Sequence, residues 1–175
     1  MRRKKLDCGF IILCLEKNTH LVNNTIKSIK NNYKESPIIC IADNSCSEED
    51  GKYLNSLCPS FIAGDTISSL INCGFKNTNI DWNFVLIAGT TMRNNLDYKY
   101  SEFINSENDV LFPIVDRKIN FVDGTINGLM INKKLFQKTG NWDDNLPLDK
   151  CKLLWAISAM EFGGQFKGII GARLC

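Results

Sequence analysis

Apolar residues cluster along this chain in short continuous runs, and the stretches between them carry apolar positions at helical spacing. Residues 10–15 read FIILCL, 38–42 read IICIA and 82–87 read WNFVLI. Runs of this kind, with little polar alternation, predict strands covered on both faces. After the first run, Asn18 or Thr19 is placed to cap a helix carrying Val22, Ile26 and Ile29 on one face. Pro37 resets the chain before the second run. Ser47-Glu48-Glu49-Asp50 then has the form of a capping box with an acidic first turn, predicting a short helix that Pro59 stops. Phe61-Ile62 reads as a short strand, and residues 66–77 as a helix with Ile67, Leu70, Ile71 and Phe75 together.

In the second half, Asn94-Asn95 is placed to cap a helix reaching about Asn105. Residues 110–115 predict a strand, Asp116-Arg117-Lys118 a turn, and 119–122 a segment pairing back as a hairpin. Residues 124–131 read as a strand, 133–138 as a short helix and 148–162 as a longer one. Gly163-Gly164 ends that helix, and 165–170 closes as an edge strand. Strands alternating with helices predict a three-layer α/β/α sandwich on a mostly parallel sheet, made mixed by the later antiparallel element. In open α/β sheets ligands sit beyond the carboxyl ends of the strands. That rule selects Glu16 to Thr19, Asp43 to Ser45, and Ala88 to Thr91.

Length and charge narrow the picture. The chain has 175 residues and a formal net charge of +2, which predicts one domain over 1–175 with a basic tail at 1–7 and no field for nucleic acid. The apolar residues behind Met1-Arg2-Arg3-Lys4-Lys5 are too few and too soon interrupted for a membrane span or a signal peptide. Of the eight cysteines none forms a C-x-x-C pair, and one histidine, His20, does not complete a usual zinc set. Cys8, Cys14 and Cys40 lie in or beside apolar runs, where reduced cysteine acts as a small hydrophobe. Free thiols in a reducing cytoplasm are the expectation.

Several polar residues admit two readings each. Asp43, just past an apolar strand, is either an Asx turn that reverses the chain or a carboxylate for a nucleobase edge or ribose hydroxyl. Asn72 is either an ordinary polar residue in a buried helix or an amide for a ligand. Trp142 either packs its turn or stacks on a sugar face. Asp149 is either a first-turn helix acid facing water or a general base.

Longer segments resemble the inverting family-2 glycosyltransferases of the GT-A fold. Residues 38–50, IICIADNSCSEED, are similar to that family's strand ending in Asp-Asp/Asn-x-Ser. Residues 14–18 resemble the end of its first strand, and 25–29 (TIKSI) its Thr-Leu-x-Ser-Leu helix. Residues 69–75 (SLINCGF) are similar to its Ala-x-Asn-x-Gly-Ile helix. Residues 124–136 resemble its acceptor-side strand and Arg-Arg-x-x-Phe helix, and 139–144 (TGNWDD) its Gly-Gly-Phe-Asp-Glu turn.

The resemblance implies a nucleotide-sugar donor of UDP or GDP type, a glycan or other acceptor, and hexosyl transfer with inversion. Asp43, Asn44, Asn72 and Gly74 would form the nucleotide side, with Gly74 permitting close helix packing. Asp123, Trp142 and Asp143 would face the acceptor. Asp149 would be the base, with Asp123 second in line, although Leu148 stands where the family has a preceding Glu. The family's Asp-x-Asp metal motif aligns with Ala88-Gly89-Thr90. The manganese or magnesium ion the family implies therefore lacks its carboxylates, since a hard cation needs anionic oxygen ligands. Three accounts follow: a cation-free enzyme using Arg93 or lysines on the leaving phosphate, a non-catalytic binding or scaffold relative, or a shifted register in which Asp97 serves. Another nucleotide-binding α/β enzyme, such as a nucleotidyltransferase, is a third class, but the Gly-rich, Arg-containing loop expected after its first strand is replaced by Glu16-Lys17-Asn18-Thr19.

Overall fold

The computed structural model describes residues 7–15, 18–92, 100, 103–104, 109–114, 121–122 and 125–170. Most of the predicted helix from Asn94 to Asn105 and half of the predicted 119–122 pairing segment lie outside these residues, as do nearly all of the basic tail, Glu16, Lys17, Arg93, Asp97 and Asp123.

A seven-stranded sheet forms the middle layer: β1 (Gly9–Cys14), β2 (Ile38–Ala42), β3 (Ser60–Ile62), β4 (Trp82–Ile87), β5 (Val110–Ile114), β6 (Leu129–Asn132) and β7 (Phe166–Ile170). Their spatial order is β3-β2-β1-β4-β6-β5-β7. The first four run parallel; β6 is antiparallel to both β4 and β5, and β7 runs parallel to β5. The expected mostly parallel, mixed sheet is what forms.

Among the described residues these helices flank it: α1 (Val22–Asn32), α2 (Glu48–Leu57), α3 (Ile67–Asn77), α4 (Lys133–Thr139) and α5 (Leu148–Glu161). The strand runs are apolar on both sides because both sides are covered. Phe10, Ile12 and Cys14 of β1 face a core shared with Val22, Ile26 and Ile29 of α1 and Leu54 of α2. Ile11 and Leu13 face the opposite core, with Leu70, Ile71 and Phe75 of α3 and the aromatic group Phe136, Trp142 and Trp155. Gly74 lets α3 approach: a Cβ there would stand 2.5 Å from Ile11 Cγ2, closer than real contacts allow.

Two boundaries differ from the sequence expectation. Residues 18–21 form a 3-10 turn, and α1 starts at Val22 without a side-chain cap. Thr19, predicted as a possible cap, instead donates its hydroxyl to Asp50 Oδ1 at 2.8 Å, tying this turn to α2. The strand expected from Gly124 begins only at Leu129. Gly128 adopts φ +86, which ends extended geometry, and Asn127 Oδ1 takes the Ile87 N–H that a ladder partner would otherwise accept. The capping box at α2 forms as read, Asp50 N–H donating to Ser47 Oγ and Ser47 N–H to Asp50 Oδ2.

Candidate functional site

The topology fixes where a ligand edge must be. From β1 the chain moves outward through β2 and β3, then returns to lay β4 on the other side. The order therefore reverses between β1 and β4, and such a switch point opens a crevice beyond the carboxyl ends of the strands. Residues 43–45 after β2, 63–65 after β3 and 88–90 after β4 share this edge. Because β6 is antiparallel to β4, Asn127 and Gly128, which enter β6, lie there too. Helix α5 leads into β7, which runs parallel to β5, so α5 begins at this edge and Asp149 is in its first turn. A contact between Ser68 Oγ, in the first turn of α3, and Cys151 Sγ at 3.5 Å agrees with that direction.

Asp43 is held where β2 leaves the sheet. Its N–H donates to the Cys14 carbonyl at 3.2 Å. Its Oδ1 accepts the Ser45 N–H at 3.0 Å and the Ser45 hydroxyl at 2.5 Å. The Asx turn read for Asp43 forms, and it fixes the carboxylate, 8% exposed, at this edge of the sheet. Burial of a carboxylate is costly unless donors surround it, and the Ser45 pair supplies two. Asn44 beside it is exposed.

The turn after β4 is built differently. Ala88 and Thr90 are buried, and Gly89 has φ +98. Gly89 N–H donates to Thr25 Oγ1 at 2.9 Å, Met92 N–H to Ser28 Oγ at 3.2 Å, and Thr90 Oγ1 to Asn127 Oδ1 at 3.0 Å. Each partner is neutral, and the Thr90 hydroxyl and the Asn127 oxygen are already committed. This donor set does not fit a hard divalent cation, which takes carboxylate oxygens. Among the described residues no group of three His, Cys, Asp or Glu side chains is arranged to hold a metal ion.

Asn72 and Trp142 come together, but through the main chain. Asn72 Nδ2 donates to the Trp142 carbonyl at 2.8 Å, and the Trp142 N–H donates to Asn72 Oδ1 at 2.8 Å. The same Nδ2 also reaches Asp144 Oδ1 at 3.2 Å. The amide of Asn72 is thus spent on clasping the turn after α4 to α3. Trp142 is 1% exposed and packs near Phe121 and Trp155, so its ring is a core element with no face open to a sugar. Asp143 is exposed and accepts the Asn145 N–H at 2.9 Å. Asp149 is exposed in the first turn of α5. Gly74 lies in the core against Ile11, where its role is packing.

Sequence reasoning missed three participants. Asn127 and Thr25 clamp the β4 turn, and although both lie in stretches that carry the resemblance, nothing there marks them as its partners. Lys152 is 2% exposed on α5; its ammonium donates to the Val122 carbonyl at 2.7 Å and lies 5.2 Å from the centre of the Phe121 ring. A lysine three residues after an exposed helix acid reads as surface in sequence, and only the fold buries it. An open cleft of about 710 Å³ lies on the flank between β3, α3 and α4. It includes Asn72 and Lys76 but neither Asp43 nor Asp149, so it is separate from the crevice at the switch point.

Strand order and layering define a GT-A-like α/β protein. No protein-family model and no curated protein matches the sequence. Solved structures do match the fold. Bifunctional IspDF from Campylobacter jejuni aligns with TM-score 0.64 and 12% identity, over 96% of this chain and 51% of that one. S. aureus TarS 1-349 in complex with UDP-GlcNAc aligns with TM-score 0.64 and 10% identity, over 97% and 57%. A cytidylyltransferase from Leptospira borgpetersenii aligns with TM-score 0.65 and 11% identity, over 96% and 77%. The chain spans about half of the first of these and three quarters of the last.

Proposed function

We propose that this chain is a nucleotide-sugar-binding transferase domain of the family-2 glycosyltransferase type, taking a UDP- or GDP-type donor and transferring its sugar with inversion. What supports this reading is that Asp43, after β2, and Asp149, in the first turn of α5, fall on the same edge of the sheet, the edge on which the β1/β4 switch point opens. Asp43, held by Ser45, accepts N–H groups of the nucleobase, and exposed Asn44 contacts the ribose. Asp149 removes the acceptor hydroxyl proton as the acceptor oxygen bonds the anomeric carbon and the bond to the diphosphate breaks. Exposed Asp143 serves the acceptor, as the resemblance implies for it and for Asp123. Asn72 acts indirectly, by holding the Trp142 turn. No step runs through a divalent cation, because the Ala88-Gly89-Thr90 turn does not fit one. Charge on the departing diphosphate falls to cationic side chains, with Arg93 directly after Met92.

That neutral, clamped turn is also the observation favouring a second reading, a GT-A-shaped binding or scaffold protein without turnover. Release of nucleoside diphosphate from UDP- and GDP-sugars, with water or a simple glycan as acceptor, separates the two. Turnover that vanishes in Asp149→Asn while donor binding persists supports transfer. Donor binding without turnover in the unaltered chain supports the scaffold.

A further inference from the structure

On the face of the sheet covered by α1 and α2, thiols come together. Cys40 Sγ lies 3.1 Å from Cys58 Sγ. The backbones are neighbours as well: Cys40 N–H donates to the Pro59 carbonyl at 2.9 Å, and Cys40 pairs in register with Ser60 of β3. Access is unequal. Cys40 is wholly buried in β2, whereas Cys58, at the carboxyl end of α2, is partly exposed. We propose that Cys40 and Cys58 form an oxidation site, in which a peroxide converts the two thiols into an intramolecular disulfide.

The sequence of events follows from access and acidity. The hydrogen bond from Cys40, and then the charge of Lys30, hold the Cys58 thiol below its ordinary range, which favours the reactive thiolate there. Hydrogen bonding to Cys14 and Cys58, and then burial, push Cys40 upward. The Cys58 thiolate attacks a peroxide oxygen; the S–O bond forms, the O–O bond breaks, and hydroxide leaves to take up the thiol's proton. The Cys40 sulfur then attacks the Cys58 sulfur; the S–S bond forms, the S–O bond breaks, and the Cys40 proton leaves with the hydroxyl as water. Two thiols lose two electrons, and one peroxide becomes two waters. The closed loop, between positions 18 apart, carries the Asp43 turn and all of α2. The bridge would therefore fasten the carboxyl end of α2 to the strand that presents Asp43.

The test is peptide mapping under non-reducing conditions, on the full chain treated with equimolar hydrogen peroxide. The expected product is a Cys40–Cys58 cross-linked peptide, about 2 Da lighter than the two reduced peptides together and reversed by dithiothreitol. Cys58→Ser, at the partly exposed position, should abolish the cross-link while the far-ultraviolet circular dichroism stays native. A Cys14–Cys40 bridge, a sulfinic acid on Cys58 with no bridge, or no reaction at either thiol would overturn the assignment.

Discussion

Replacing Asn72 by Ala separates two roles that the same residue could play. Its amide exchanges two hydrogen bonds with the Trp142 main chain, each 2.8 Å. The alanine variant leaves the Trp142 N–H and carbonyl without these partners, next to a tryptophan 1% exposed. A lost hydrogen bond costs about 1 kcal/mol, and a stranded buried group adds more, so the pair is worth about 2–4 kcal/mol. For a chain of this size each kcal/mol lowers Tm by about 2–4 °C, so the expected fall is about 4–16 °C. Asn72→Asp keeps one acceptor but turns a carboxylate toward the Trp142 carbonyl and Asp144, and should lose at least as much. Thermal melting followed by tryptophan fluorescence, paired with nucleotide-sugar titration below the transition, gives both readouts. A variant with unchanged Tm but lost donor binding would refute the clasp and restore the nucleotide role the resemblance implies.

Further outcomes follow from packing and acidity. Gly74→Ala gains up to about 1 kcal/mol of helix propensity but forces a methyl against Ile11, so it should lose about 1–2 kcal/mol net in urea unfolding. In the double variant Gly74→Ala/Ile11→Ala the loss should be smaller than the sum of the single ones. Trp142→Ala should cost about 3–5 kcal/mol. Trp142→Phe should cost much less, because among the described residues the buried indole Nε1 has no hydrogen-bond partner to lose. The Cys58 thiol is held down by its Cys40 hydrogen bond, whereas burial raises Cys73. Iodoacetamide labelling read by mass spectrometry should therefore reach half its maximum rate at a lower pH for Cys58 than for Cys73; the reverse order would contradict the assignment.

Much of the fold was legible because the strand runs are apolar on both faces, a pattern that a sheet between two helical layers satisfies. Ser47 and Asp50 marked the start of α2, and Thr66 caps α3 through the Ser69 N–H at 3.1 Å, so those boundaries were readable locally. The start of β6 was not, because it depends on Asn127 bonding Ile87, a contact between distant segments. The site was legible as positions more than as roles. Asp43 and Asp149 lie at the edge that the strand-end rule selects. Asn72 and Trp142 each admitted a packing and a ligand-facing reading, and the fold spends the Asn72 amide on the Trp142 main chain and the Trp142 ring on the core. The neutral turn was visible as Ala88-Gly89-Thr90, but its clamps, Thr25 and Ser28 on α1 and Asn127 before β6, come from segments far from it in sequence, and nothing local marks them as its partners. Among the described residues no helix is long and apolar enough to cross a membrane.

The central claim is that the edge beside Asp43 receives a nucleotide-sugar donor without help from a cation at the β4 turn. Calorimetric titration with UDP, GDP and their common sugar conjugates, with and without manganese, tests it most directly. The account predicts micromolar binding that is unchanged by manganese and lost in Asp43→Ala. No binding of any of these ligands under either condition, or binding that Asp43→Ala leaves intact, would contradict it.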